Sequence, residues 1–320
     1  MLSDGFKVVC YLHLDAMVLE KLLEAPGCTH YVYEANEVQK LGRTVSPTAL
    51  DLSREQEATQ RLRNKFPEAK FLLGIGSWHN GGTEFFVHSE TESRRTHLAQ
   101  QAKAQLEKHG FDGIDLSYTL IQAQHRFDHQ DLLGKTLRVF RDQLGDKYIL
   151  AVRVSAPNNF YQQADALYDV QAIRDSVDWV TLAAFDLDQG LSLELPSHHS
   201  PLRMPGGHGL PANDVAFPEP TVPYHTLCQK LMQKELIEAE PSLKSIAGGP
   251  YATSMSNLVS YDDLESFKAK LEYIKGFGGV GLVQLNMDDY LGLCGMPWPM
   301  LTAATENLET ITTSGIIYSN

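Results

Sequence analysis

Residues 111–120 read Phe111-Asp112-Gly113-Ile114-Asp115-Leu116-Ser117-Tyr118-Thr119-Leu120, and their alternation points to a β-strand. Successive side chains of a strand face opposite sides, so residues 115, 117 and 119 share a face. That face carries Asp115, Ser117 and Thr119. Seven further strand-like runs accompany this one: Phe6 to His13, Cys28 to Tyr33, Lys70 to Ile75, Tyr148 to Ser155, Val177 to Phe185, Ser245 to Tyr251 and Gly279 to Leu285.

Amphipathic stretches lie between the runs. Arg94 to His109 places Leu98, Ala102 and Leu106 four apart, the stripe of a helix. Leu132 to Leu144 and Tyr261 to Lys275 behave in the same way. Strand and helix in alternation, with buried strands, imply a parallel sheet. Eight such units predict an α/β fold of the (β/α)8 TIM-barrel type, with a doubly wound sheet as the alternative. A single barrel over 1–308 with a tail over 309–320 is the expected organisation. Gly190 to Pro223 is rich in Pro, Gly and His and reads as a long loop after strand six, on the face where barrels place ligand sites.

A net charge of −13 argues against nucleic acid and anionic membrane as partners, since both require clustered Lys and Arg. No apolar run approaches the roughly 18–20 residues of a membrane-spanning helix. The opening Met1-Leu2-Ser3-Asp4-Gly5 has neither the basic nor the apolar segment of a signal peptide. Four cysteines match no zinc-binding spacing. His79 and the adjacent His198 and His199 lack spaced carboxylate partners, so they read as solvated loop histidines, and no metal or cofactor is expected.

Residues 112–119 resemble the Asp-Gly-x-Asp-x-Asp-x-Glu signature of glycoside hydrolase family 18, the chitinase family. Asp112, Gly113 and Asp115 match it. Ser117 stands where the family has Asp, and Thr119 where it has the catalytic Glu. The resemblance extends along most of the chain. Val8-Val9-Cys10-Tyr11 is similar to the family's first strand, Cys28 to Tyr33 to its second, and Leu72 to Trp78 to its third, with Ser77 in place of a usual Gly. Phe185-Asp186 resembles the sixth-strand Met-x-Tyr-Asp, and Tyr261-Asp262-Asp263 and Met287-Asp288-Asp289-Tyr290 resemble the closing segments. The family often carries a small α+β insertion between strands seven and eight. Strand seven, placed at Ser245 to Tyr251, leaves no room for it; a second alignment assigns Tyr224 to Cys228 to a remnant.

The resemblance implies chemistry that this chain has lost. In the family the substrate's own acetamide is the nucleophile, a Glu protonates the leaving oxygen, and an Asp orients the acetamide. A threonine hydroxyl at 119 is not a usable acid near neutral pH, and loss of a general acid costs typically about 10²–10⁴ in rate. Ser117 removes the charge that balances the cationic intermediate. The eighth-strand Trp that floors the family's central sugar site is replaced within Val283-Gln284-Leu285.

What the resemblance leaves is binding. Tyr11, Trp78, Tyr118, Asp186, Tyr251 and Gln284 fall at or near matching cleft positions, whereas Asp115 is expected as a buried, hydrogen-bonded remnant. The expected function is a non-catalytic lectin-like protein for chitin oligosaccharides or other N-acetylglucosamine glycans. The alternative is a secreted interaction, signalling or inhibitor protein with a vestigial cleft and an unidentified protein partner. Cys10–Cys28 matches a family disulfide, and Cys228–Cys294 is a second candidate pair. With those bridges the protein would be extracellular, its signal peptide lying outside this sequence.

Overall fold

The structure is a computed structural model and describes residues 5–13, 16–34, 52–76, 88–118, 129–155, 168–184, 200, 222–238, 249–254 and 258–313. The elements begin with β1 (Lys7–Leu12), α1 (Ala16–Leu22), β2 (His30–Glu34), α2 (Ser53–Lys65), β3 (Lys70–Ile75), α3 (Glu92–His109), β4 (Gly113–Tyr118), α4 (His129–Leu144), β5 (Ile149–Ser155), α5 (Val170–Ser176) and β6 (Trp179–Ala183). They continue with α6 (Tyr224–Met232), β7 (Ile237–Glu238), β8 (Tyr251–Thr253), β9 (Leu258–Ser260), α7 (Leu264–Tyr273), β10 (Gly279–Leu282) and α8 (Pro299–Thr313). The chain forms two compact units, residues 10–15 with 29–183, and residues 1–9, 16–28 and 184–320.

One sheet has the order β10-β1-β2-β3-β4-β5-β6. Strands β2 to β5 each pair in parallel with the next, and helices intervene, as in a β/α barrel. Every residue of β4 is buried, which fits a parallel strand covered on both faces. Helix α3 follows the stripe read from sequence: Leu98, Ala102 and Leu106 are fully buried. Thr91 caps its first turn by accepting from the Arg94 N–H, and Gly110 ends it in the left-handed conformation at φ 73°.

Two aspartates lock the strand entries by one device. The Asp112 carboxylate accepts from the Phe71 N–H at 2.8 Å and from Arg63 at 2.7 Å. Two strands on, Asp178 accepts from the Leu150 N–H at 2.8 Å and from Arg141 at 2.7 Å. Each carboxylate ties the start of one strand to its neighbour and to a helix, so Asp112 has a structural role. Gly113, next to it, has no room for a side chain: a Cβ there would press on the Ile149 carbonyl oxygen of the paired strand. Gly113→Ala should therefore cost about 1–3 kcal/mol through overpacking. A thermal melt within 1 °C of the parent would refute this close approach.

The second unit departs from expectation. Tyr251, placed at the end of a seventh barrel strand by sequence, lies in β8, which pairs antiparallel with β7 and with β9 in a separate three-stranded sheet. A short apolar run identifies a strand without naming its partners; residues 245–248 of the expected seventh strand lie outside the described residues. Leu227, Leu236, Ala252 and Tyr261 form the small core beside these strands. The second alignment's choice of Tyr224 to Cys228 falls within α6. Asp263 and Ser266 form a capping box on α7. Strand β10 stops at Leu282, three residues short of the expected end. Helix α8 runs to Thr313, so residues 309–313 are helical.

Cys228 and Cys294 form a disulfide with Cα atoms 5.3 Å apart. Cys10 and Cys28 are also disulfide-bonded, and no cysteine is free. No helix among the described residues is long and apolar enough to cross a membrane. The loop from Gly190 to Pro223 lies outside the described residues except for 200, 222 and 223.

Candidate functional site

The face of β4 singled out in the sequence carries a buried polar cluster. Asp115 pairs in register with Gly74 of β3 and Ala151 of β5. Small neighbours on both sides leave room for side chains from other strands. Tyr11 of β1 fills that room, donating its hydroxyl proton within a pair of contacts at 2.9 Å, one to Asp115 and one to the Thr181 hydroxyl of β6.

One layer nearer the strand ends, Ser117 stands in register with Arg153 of β5, and Arg153 with Thr181. The Ser117 hydroxyl accepts from Nε of Arg153 at 3.2 Å and from Nη2 at 2.8 Å. Nη2 also donates to Glu34 of β2 at 2.6 Å. The guanidinium lies 4.6 Å from the centre of the Tyr11 ring, a cation–π placement. The Arg153 and Glu34 side chains are 2% and 9% exposed, so this ion pair is buried.

The electrostatics follow from burial and from one cation among two acids. Burial pushes the Asp115 carboxyl up to about 6; Arg153 and the Tyr11 hydrogen bond oppose that rise, and Glu34 adds to it. Burial, and then the Asp115 charge, raises the Tyr11 hydroxyl well above its ordinary value. Burial works against charge on Arg153, but Glu34, Tyr11 and Asp115 outweigh it and hold the guanidinium above its usual range. Arg153 is therefore a permanent cation, able to donate hydrogen bonds and unable to transfer a proton.

The structure unites Tyr11, Asp115 and Ser117, as the strand alternation requires. Asp115 is buried and hydrogen-bonded, as expected. Tyr118 does not join them. It alternates to the opposite face of β4 and packs edge-on against Tyr168, ring centres 6.4 Å apart. That placement corrects the sequence reading of Tyr118 as a ligand contact. Tyr251 is buried in β8 of the other unit. Gln284 is half-buried and precedes the short turn Leu285–Met287. Thr119, Trp78, Ser77, Phe185, Asp186, His79, His198 and His199 lie outside the described residues.

Sequence reading missed Arg153, Glu34 and Thr181. A signal existed for the first: Arg153 interrupts an otherwise apolar strand, Ile-Leu-Ala-Val-Arg-Val-Ser. A charged residue is almost never fully buried without a partner, so that position demanded one. Which acid supplies it could not be read, because Glu34 is 119 residues away.

Among the described residues one group has metal-ligand spacing, Cys228, Asp289 and Cys294. Its two sulfurs are joined to each other, so they are not thiolate ligands.

Comparison with known proteins agrees with the fold and the signature. Mouse chitotriosidase-1 is 26% identical over 314 residues, spanning 78% of this chain and 65% of its own length. The chain spans about 65% of the length of the first curated relatives it matches. A group IV chitinase of Ostrinia furnacalis shares the fold with a TM-score of 0.77 at 22% identity, covering 95% of this chain and all of that one. Human YKL-39, described as a pseudo-chitinase with retained chitooligosaccharide binding properties, does so with a TM-score of 0.70 at 19% identity, covering 95% of this chain and all of that one. The sequence profile of glycosyl hydrolases family 18 matches residues 7–215, and with the barrel strands and the Asp112-Gly113-Ile114-Asp115 motif in place the chain belongs to that family.

Proposed function

We propose that this protein is a non-catalytic, chitinase-like lectin that binds chitin oligosaccharides or other N-acetylglucosamine glycans outside the cell. One observation carries the reading: the position of the family's second carboxylate is held by Ser117, and its hydroxyl is engaged by two nitrogens of Arg153. A cation there disfavours the positive charge that hydrolysis with acetamide participation develops. With Thr119 at the acid position the family's proton donor is missing, and the two nearby acids, Asp115 and Glu34, are already engaged by Tyr11 and Arg153. Binding needs neither a proton donor nor a free acid. Human YKL-39, which shares the fold, is described as a pseudo-chitinase with retained chitooligosaccharide binding properties, and this supports the reading. The disulfides suit an extracellular compartment.

Calorimetry with chitin oligomers of increasing length tests the reading. Affinity should rise with length and fall in Trp78→Ala, and a fluorogenic chitobiose derivative should not turn over above the buffer blank. Flat heats at millimolar sugar would exclude the lectin. They would favour a second reading, a protein-binding scaffold with a vestigial cleft. One observation supports that alternative: Tyr273 and Phe277 stack at 6.4 Å while 66% and 63% exposed, an aromatic pair available to a protein surface.

A further inference from the structure

Arg153 has more donors than its neighbours use. Nε and Nη2 serve Ser117, and Nη2 also serves Glu34. Nη1, with two N–H groups, meets no acceptor among the described residues although it is buried. A buried charged donor left unsatisfied is costly, and a protein that keeps one has a use for it or fills it with water. Its position is suggestive. Arg153 lies in the layer of Ser117, and its partner Glu34 is the last residue of β2, so the group sits toward the strand C-termini where barrels of this kind place ligands.

We propose that Arg153 reads the ligand of this site, its Nη1 donating to an uncharged oxygen, the acetamide carbonyl or a hydroxyl, of an N-acetylated sugar. The inference rests on the lectin reading and adds the residue and the specificity. The charges around Arg153 select the ligand class. A carboxylate-bearing sugar would meet Glu34 and Asp115, which already offset the guanidinium. A deacetylated sugar brings an ammonium, which has donors only and offers Nη1 no acceptor. A neutral N-acetyl group meets neither penalty and supplies the acceptor that Nη1 lacks. Arginine thus grips an oxygen in a region where catalysis would need a titrating acid, and it releases no proton on doing so.

The test compares wild type with the double variant Arg153→Met/Glu34→Leu, titrated with chitotetraose and with its fully deacetylated counterpart. Removing both charges together avoids an orphaned buried ion, and such replacements are often neutral for stability. The double variant should melt near wild type and bind chitotetraose about ten- to a hundredfold more weakly. Wild type should prefer the acetylated tetramer, and the variant should lose that preference. If the double variant does not fold, Arg153→Lys keeps the ion pair but not the forked donor set, and should still lose about tenfold. Wild type that binds, with a folded variant that binds equally well, overturns the role of Arg153 and leaves the lectin reading standing. Wild type silent toward every oligomer overturns both.

Discussion

Arg153→Met alone should lower folding stability by about 3–5 kcal/mol at pH 7.5. The cause lies in what remains. Removing the guanidinium leaves Glu34 and Asp115, 9% and 1% exposed, without their cation. It also takes both hydrogen bonds from the Ser117 hydroxyl. Two buried acids must then protonate or draw in water. Adding Glu34→Leu should recover most of the loss, because an apolar pair of similar volume carries no desolvation cost. Urea unfolding of the two single variants and the double variant closes a cycle whose interaction energy is expected to exceed about 2 kcal/mol. A single Arg153→Met variant within about 1 kcal/mol of wild type would mean that the pair contributes only as much as an exposed one.

Mild acidification should stabilise this protein, opposite to the usual behaviour of paired carboxylates. Burial lifts Asp115 from 3.8 to about 6. It does the same for Asp288, although the N–H groups of Leu301, Asp289 and Met300 pull the other way. Between those two values the folded chain holds protons that the unfolded chain has released. The unfolded state therefore binds fewer protons, and stability falls as pH rises through this window. A shift of about two units amounts to about 3 kcal/mol for each group when complete. From pH 7 to pH 5 the pair should return about 2–3 kcal/mol. Urea midpoints at pH 5, 6 and 7 measure this, and Asp115→Asn with Asp288→Asn should flatten the profile. A midpoint that falls steadily from pH 7 to pH 5 in wild type would show that these carboxylates stay ionised in the fold.

Much of the barrel was legible because its signals are local. Six runs of apolar residues became β1 to β6 within a few residues of their expected ends, and the Leu98, Ala102, Leu106 stripe became the buried face of α3. The Asp-Gly-x-Asp motif was legible for the same reason. Asp112 clamps a strand entry and Gly113 admits the neighbouring carbonyl, and both needs arise within one strand and its parallel partner. Tyr251 was placed in a barrel strand because the run ending there fits a barrel strand and a small antiparallel sheet equally well; residues 245–248 of that run lie outside the described residues.

The sequence by itself determined the fold family, the alternation that puts Asp115 and Ser117 on one face, and the presence of Ser117 and Thr119 in the motif. Only the tertiary structure decided what the Ser117 hydroxyl meets. Tyr11, Glu34, Ser117, Arg153 and Thr181 come from five strands spread over 170 residues, and register alone brings them together. A buried charge needs its partner within hydrogen-bond reach, but chain distance sets no limit on where that partner comes from. The lone arginine in an apolar strand announced that such a partner exists; the parallel pairing of β2 through β6 brought Glu34 to it.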